Sequence, residues 1–310
     1  MNGRMLVIFP GALGDLICAG PALRALARMN PDSALELMAR AELAEFAAGR
    51  IGVEAGHSID RPEMSAMFRE GGASDPAARK FFGQFDKIRS FFAFDDLNYR
   101  RALGQVCGGA VTFHQFRPPG AGHIAELYLK SIGAPDDSPE SRIDLSENDF
   151  DSACAVMSRV DLLLDDFVMI FPGSGSAKKS WSAKSFARLA LEIEGEMRLR
   201  PLAVLGPAED DLRPLFHDFG ITTVSMLPLE TVAALAKFAA GFVGNDSGVS
   251  HLAAAAGLPG VVIFGPTDPD RWRPRGRFTV LRAAELESLA VPAVLRALES
   301  ACPRAAPGLR

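Results

Sequence analysis

Along the chain, short runs that are apolar on both faces alternate with stretches whose apolar residues recur at helical spacing. Residues 5–9 (Met-Leu-Val-Ile-Phe) read as a strand of the kind buried inside a parallel sheet. A glycine loop occupies residues 10–15, and a helical stretch runs on to about residue 29, within which Pro21 predicts a helix start or a kink. Residues 34–39 read as a second strand and 41–48 as a helix, whereas 51–94 is dense in Gly, Phe and charge and shows no clear period. Strands are expected at 88–91 and 110–113, and a helix over 123–132.

Between residues 133 and 151 the pattern turns polar and turn-prone (Ala134-Pro135-Asp136-Asp137-Ser138-Pro139), which marks an interdomain linker. Beyond it the rhythm is clearer. Strands are expected at 167–171, 201–205, 241–244 and 260–264, and helices at 186–193, 209–219, 229–239, 247–256 and 284–298. Strand–helix alternation with short loops implies a parallel sheet covered on both faces. With 310 residues, two such units are expected, 1–150 and 151–310, with a cleft between the C-terminal edges of their sheets.

Composition narrows the function classes. Hydrophobic residues at 48% and charged residues at 23% describe a folded chain. A net charge of -5, from 33 basic and 38 acidic side chains, argues against a general nucleic-acid binder. Cys18, Cys107, Cys154 and Cys302 are scattered, with no CxxC pair and no His at metal spacing, so they read as reduced thiols. No segment reaches the ~18–20 apolar residues of a membrane span, and Pro10, Asp15 and Pro21 interrupt the apolar N-terminal stretch. The expectation is a cytoplasmic protein.

Three loops carry candidate chemistry. Gly173, Ser174, Gly175, Lys179 and Trp181 follow a buried strand, an arrangement that offers backbone amides, a hydroxyl and a point charge to an anion. The run from Gly173 to Ser180 resembles a P-loop, but Lys178 stands where the second glycine belongs. Gly244-Asn245-Asp246-Ser247-Gly248-Val249-Ser250-His251 forms a second strand–loop–helix start, with Asp246 and Ser247 both suited to N-capping. Phe264-Gly265-Pro266-Thr267-Asp268-Pro269 is a third, followed by Trp272 and an arginine-rich stretch that reads as a solvated loop. The triplets Asp149-Phe150-Asp151 and Asp268-Pro269-Asp270 sit in polar contexts that read as turns, not as metal sites.

Taken in order, these pieces resemble the ADP-heptose:lipopolysaccharide heptosyltransferases, glycosyltransferase family 9. The residues that carry the resemblance are Gly14-Asp15 with Pro21 to Arg24, Pro172-Gly173 through Lys179-Ser180-Trp181, Gly206 to Glu209, and Asp246 through Ala254 with Phe264 to Pro269 after it. It spans the first thirty or so residues and most of 167–274. It implies an α/β fold of the GT-B type, two Rossmann-like domains facing across a cleft, with the acceptor on the N-terminal domain and the nucleotide sugar on the C-terminal one. The last helix is expected to be free to pack back on the N-terminal domain.

In the same resemblance Ser174, Gly175 and Lys179 lie at the diphosphate, Glu209 at the nucleoside, and Asp246, Ser247, Gly248 and His251 around phosphate and sugar. Gly175 departs from members that carry a second hydroxyl there. Asp15 is the implied catalytic base of an inverting, metal-independent transfer with no cofactor. The donor implied is an ADP-sugar and the acceptor a lipopolysaccharide-core saccharide, with peripheral contact at the cytoplasmic face of the inner membrane. A sugar-nucleotide hydrolase or 2-epimerase, or a binding protein without turnover, are the competing readings. Arg61, Arg79, Lys80, Lys87, Arg89, Arg100 and Arg101 are the basic residues available to a phosphorylated acceptor.

Overall fold

In the computed structural model, which describes residues 3–302, the chain forms two compact units, Met1–Asp144 and Leu145–Arg310. The first holds strands β1 (Gly3–Ile8), β2 (Ser33–Ala39), β3 (Ala55–Ser58), β4 (Lys87–Ser90) and β5 (Ala110–Phe113), in the order β3-β2-β1-β4-β5. The second holds β6 (Phe167–Phe171), β7 (Arg200–Leu205), β8 (Thr222–Ser225), β9 (Gly241–Asn245), β10 (Gly260–Phe264) and β11 (Phe278–Arg282), in the order β11-β10-β9-β6-β7-β8. Every pairing is parallel. Numbered within its own unit, each sheet follows the doubly wound order 3-2-1-4-5, extended by a sixth strand in the second.

The central strands are where the apolar pattern puts them. Leu6, Val7 and Ile8 of β1, all of β6 and the apolar residues of β10 are buried on both faces, as strands covered by helices must be. In unit 2 one face packs under Trp181, Phe186, Leu189, Ile193, Val294 and Leu298. Three strands lie outside the sequence expectation: β3, β8 and β11. Each is an outer strand of its sheet and only partly buried, so none shows the apolar run that betrays a central strand.

Other expectations change as well. Helix Leu13–Met29 is continuous through Pro21 and does not start there. Pro21 has no N–H for the Ile17 carbonyl, and that carbonyl instead accepts the Ser141 hydroxyl at 2.6 Å, which removes the main penalty of an internal proline. The turn-prone linker is shorter than expected, because helix Glu147–Arg159 begins inside it. Ser146 and Asp149 cap that helix reciprocally: the Asp149 N–H donates to Ser146 Oγ at 3.3 Å, and the Ser146 N–H to Asp149 Oδ2 at 2.8 Å. The Asp149–Asp151 triplet is therefore helical, and Asp149 is buried in its capping role. The last helix is Val291–Ala301, preceded by β11, and it packs on unit 2's own sheet against β9, β10, β11 and helix Ala183–Glu192.

Candidate functional site

In unit 2 the strand order reverses between neighbours β6 and β9, the point at the C-terminal edge of an open α/β sheet where its ligand crevice lies. The first two sequence signals are the loops that follow these two strands. Lys179, at the far end of the β6 loop, donates to Asp246 Oδ2 of the β9 loop at 3.0 Å. Asp246 is 8% exposed and Lys179 35%, so the carboxylate is enclosed while the ammonium still faces water.

Asn245 ends β9 fully buried, and its amide bridges the same two loops. Its Oδ1 accepts the Trp181 N–H at 2.9 Å and its Nδ2 donates to the Pro172 carbonyl at 2.8 Å, while its own carbonyl accepts the Ser250 hydroxyl at 2.8 Å. Sequence reasoning passed over Asn245; the available signal was an asparagine closing an otherwise apolar strand.

Ser247 occupies the N-cap position of helix Gly248–Ala255, but its hydroxyl lies 3.4 Å from Ser250 Oγ and bonds no first-turn amide, and the Asp246 carboxylate meets Lys179. Ser247 thus stands at the N-cap as expected, but neither side chain bonds the first-turn amides. The amides of that turn have no intrahelical acceptor, so the helix start is suited to an anion. His251 lies one turn in and is buried. Ser174 turns its hydroxyl into its own loop, donating to the Ser176 carbonyl at 2.6 Å and lying 2.7 Å from Ser180 Oγ. Gly175 is exposed, with open space where a side chain would go.

The loop after β7 joins the crevice through Glu209, whose Oε2 accepts the Gly206 N–H at 3.1 Å. Burial pushes this carboxyl above its ordinary value and nearby Asp211 adds to that, against the opposing Gly206 bond. A Cβ at Gly173 would collide with the Glu209 carboxyl, so glycine lets the β6 loop pass it. The β10 loop contributes Gly265, where a Cβ would stand 3.2 Å from the Lys178 carbonyl. Asp268 caps the short helix Pro269–Trp272, its Oδ1 accepting the Asp270 N–H at 3.1 Å.

In unit 1 the strand order reverses between β1 and β4, and Asp15 follows β1. It lies in the first turn of helix Leu13–Met29, not in the loop and not at the N-cap, which is Ala12. Its Oδ2 accepts the Ala12 N–H at 3.2 Å, and its Oδ1 lies 3.7 Å from the Arg117 guanidinium. The side chain is 11% exposed. A Cβ at Gly11 would stand 2.5 Å from the Phe9 ring and 2.7 Å from Asp15 Cβ, so only glycine admits the carboxylate here. Below the loop, Phe9 packs edge-on to Phe91, Phe116 and Tyr128. Arg117 carried no sequence signal.

Of the basic residues available to an acceptor, Arg61 is chelated by Glu63 and lies over Phe81, Arg100 covers Phe94 and Phe113, and Lys87 donates to Asn30. The model of glycosyltransferase family 9 (heptosyltransferase) matches residues 122–289, more than half of the chain. The chain belongs to glycosyltransferase family 9. It is thus a glycosyltransferase, and the match takes in every unit 2 residue of the crevice but not Asp15.

The chain is 27% identical to lipopolysaccharide heptosyltransferase 1 of Salmonella typhimurium over 147 residues, 46% of this chain and 44% of that enzyme. It is 23% identical to lipopolysaccharide heptosyltransferase 3 of Escherichia coli over 313 aligned positions, 84% of this chain and 82% of the relative. A glycosyl transferase family 9 crystal structure from Veillonella parvula matches with a TM-score of 0.81 at 19% identity, covering 97% of both chains. Both units thus have the sheets of the GT-B class.

Proposed function

We propose that the chain is an inverting, metal-independent heptosyltransferase that moves heptose from ADP-heptose to a lipopolysaccharide-core acceptor. Unit 2 binds the donor and unit 1 the acceptor, and the enzyme works at the cytoplasmic face of the inner membrane. The observation that carries the reading is the meeting, at one sheet edge, of Lys179 with the uncapped start of helix Gly248–Ala255. Together they supply a cation and oriented amides to a diphosphate. The family and the names of the relatives support heptose as the sugar and the lipopolysaccharide core as the acceptor.

In the proposed reaction the acceptor hydroxyl attacks the anomeric carbon from the face opposite ADP, and Asp15 takes the hydroxyl proton. The bond from that carbon to the β-phosphate oxygen breaks, and its electron pair leaves on ADP. Lys179 and the helix amides offset the charge that develops there, work that a divalent ion performs in metal-dependent transferases. Ser174 adds a hydroxyl once it leaves its own loop, Gly175 leaves room beside it, and Glu209 faces the nucleoside. Asp246, Ser247, Gly248 and His251 close the site around phosphate and sugar.

The test is incubation with ADP-heptose and a heptose-free core saccharide in excess EDTA. Release of ADP that depends on acceptor, with inverted anomeric configuration in the product, is the expected result. Release without acceptor would mean hydrolysis, and strict dependence on added magnesium or manganese would refute the metal-independent mechanism.

A further inference from the structure

We propose that Asn245 is the positioning residue of the donor loop, holding loop 172–181 in the shape that aims Lys179 at the leaving diphosphate; this rests on the reading of that loop as the donor site. The loop enters from β6 at Pro172 and exits at Trp181, and one buried amide grips both points. At the entry Asn245 donates to a carbonyl, and at the exit it accepts from an N–H. A carboxamide has a donor and an acceptor on one short planar group at any ordinary pH, so the partners also fix which end is oxygen. Aspartate has no hydrogen to give the Pro172 carbonyl when ionised, and alanine would leave two enclosed backbone groups without partners.

The rest of the loop hangs from this grip. Ser174 and Gly175 lie near one pinned end, and Lys179 is two residues from the other. The exit is fixed a second time by the Trp181 indole, which is buried against Phe186 and donates to the Leu289 carbonyl at 3.1 Å. The next residue after Asn245 is Asp246, the carboxylate that Lys179 meets, and Ser250 ties the Asn245 carbonyl to the helix whose first turn faces the crevice. The Asn245 amide therefore joins the two loops, and its backbone carbonyl and its neighbour Asp246 link them to the helix start and to Lys179. No other fully buried polar side chain in unit 2 among the described residues spans both loops.

The test is a double-mutant cycle on ADP affinity, measured by titration calorimetry in the full chain, with Asn245→Asp, Lys179→Ala and the pair. Asn245→Asp should weaken ADP by about tenfold or more, through a loop that no longer closes on its entry carbonyl. In the Lys179→Ala background the same change should cost less than about twofold, because the group it positions is gone. A general loss of stability would not vanish on removing Lys179, so equal losses in both backgrounds overturn the proposal, as does an unchanged affinity.

Thermal unfolding identifies which variants are folded, and Asn245→Ala runs the same cycle if Asn245→Asp is not among them. In the wild-type protein the Trp181 amide should also resist hydrogen exchange without ADP, and free exchange there would overturn the grip directly. Wild-type protein that binds no ADP would instead sink the donor reading itself, and this inference with it.

Discussion

Replacing Asp15 by asparagine separates catalysis from folding. In the fold the carboxylate accepts the Ala12 N–H at 3.2 Å from within the first turn and lies 3.7 Å from Arg117. Asparagine keeps an oxygen for the Ala12 N–H and loses the charge. A negative charge in a first helical turn is worth ~0.3–1 kcal/mol, and an ion pair with an arginine as exposed as this one ~0–1 kcal/mol. The expected stability loss is about 1 kcal/mol, a fall in Tm of roughly 2–4 °C. The chemical loss is larger. Asparagine cannot accept the acceptor's proton, and removal of a general base slows turnover by about two to four orders of magnitude, equivalent to ~3–5.5 kcal/mol of barrier.

The assay is single-turnover transfer from ADP-heptose at saturating acceptor, with ADP affinity and thermal unfolding measured alongside. Asp15→Ala is the companion: it should lose comparable turnover but more stability, since the Ala12 N–H then has no side-chain acceptor. Turnover within about tenfold of wild type in Asp15→Asn would show that the carboxylate serves the helix alone. The base would then have to be sought on another residue.

Lys179→Ala should weaken ADP by roughly ten- to 150-fold, the value of a charged hydrogen bond of ~1.5–3 kcal/mol. It should also lower Tm, because enclosed Asp246 loses its cation; unchanged ADP affinity would remove Lys179 from the site. Gly173→Ala should damage donor binding by driving the β6 loop and the Glu209 carboxyl apart, and ADP affinity equal to wild type would show that the loop can move aside at no cost. His114, buried against Phe91 at 4.8 Å, is held down to about 4 by burial and by Arg89. Its folded pKa lies below the unfolded value of ~6.5, so the stability it contributes is present above that value and lost as pH falls toward 4. His114→Phe should flatten the stability–pH curve in that window, by up to about 2–3 kcal/mol, and an unaltered slope from urea titrations across the window would count against it.

The central strands of both sheets were legible because burial on two faces writes itself into four or five consecutive apolar residues. β3 (Ala-Gly-His-Ser) and β8 (Thr-Thr-Val-Ser) were not, since an outer strand is specified by backbone pairing with its neighbour and leaves its side chains half in water. How the helix continues past Pro21 was hidden for a related reason. Its effect on the helix depends on Ser141, 124 positions away, whose hydroxyl replaces the missing donor. A local rule gave the penalty correctly and had no access to its remedy.

The candidate site divides along the same line. Lys179, Glu209 and Asp246 stand in loops that each follow a strand, and a strand–loop–helix unit announces its anion-binding end within a dozen residues. What those residues do to one another was hidden. The Lys179–Asp246 pair spans 67 positions and the Asn245–Pro172 bond 73. Asp15 shows the limit from the other side. Its residue type and place after β1 were plain, yet its position in the first helical turn was not, nor that Phe9 and Asp15 fill the space a Cβ on Gly11 would need. The chemistry of a loop is therefore local and readable, while its aim is set by buried polar contacts between distant segments. A family member with the same loop residues but without Asn245 at the end of β9 should then keep its ligand class and lose affinity.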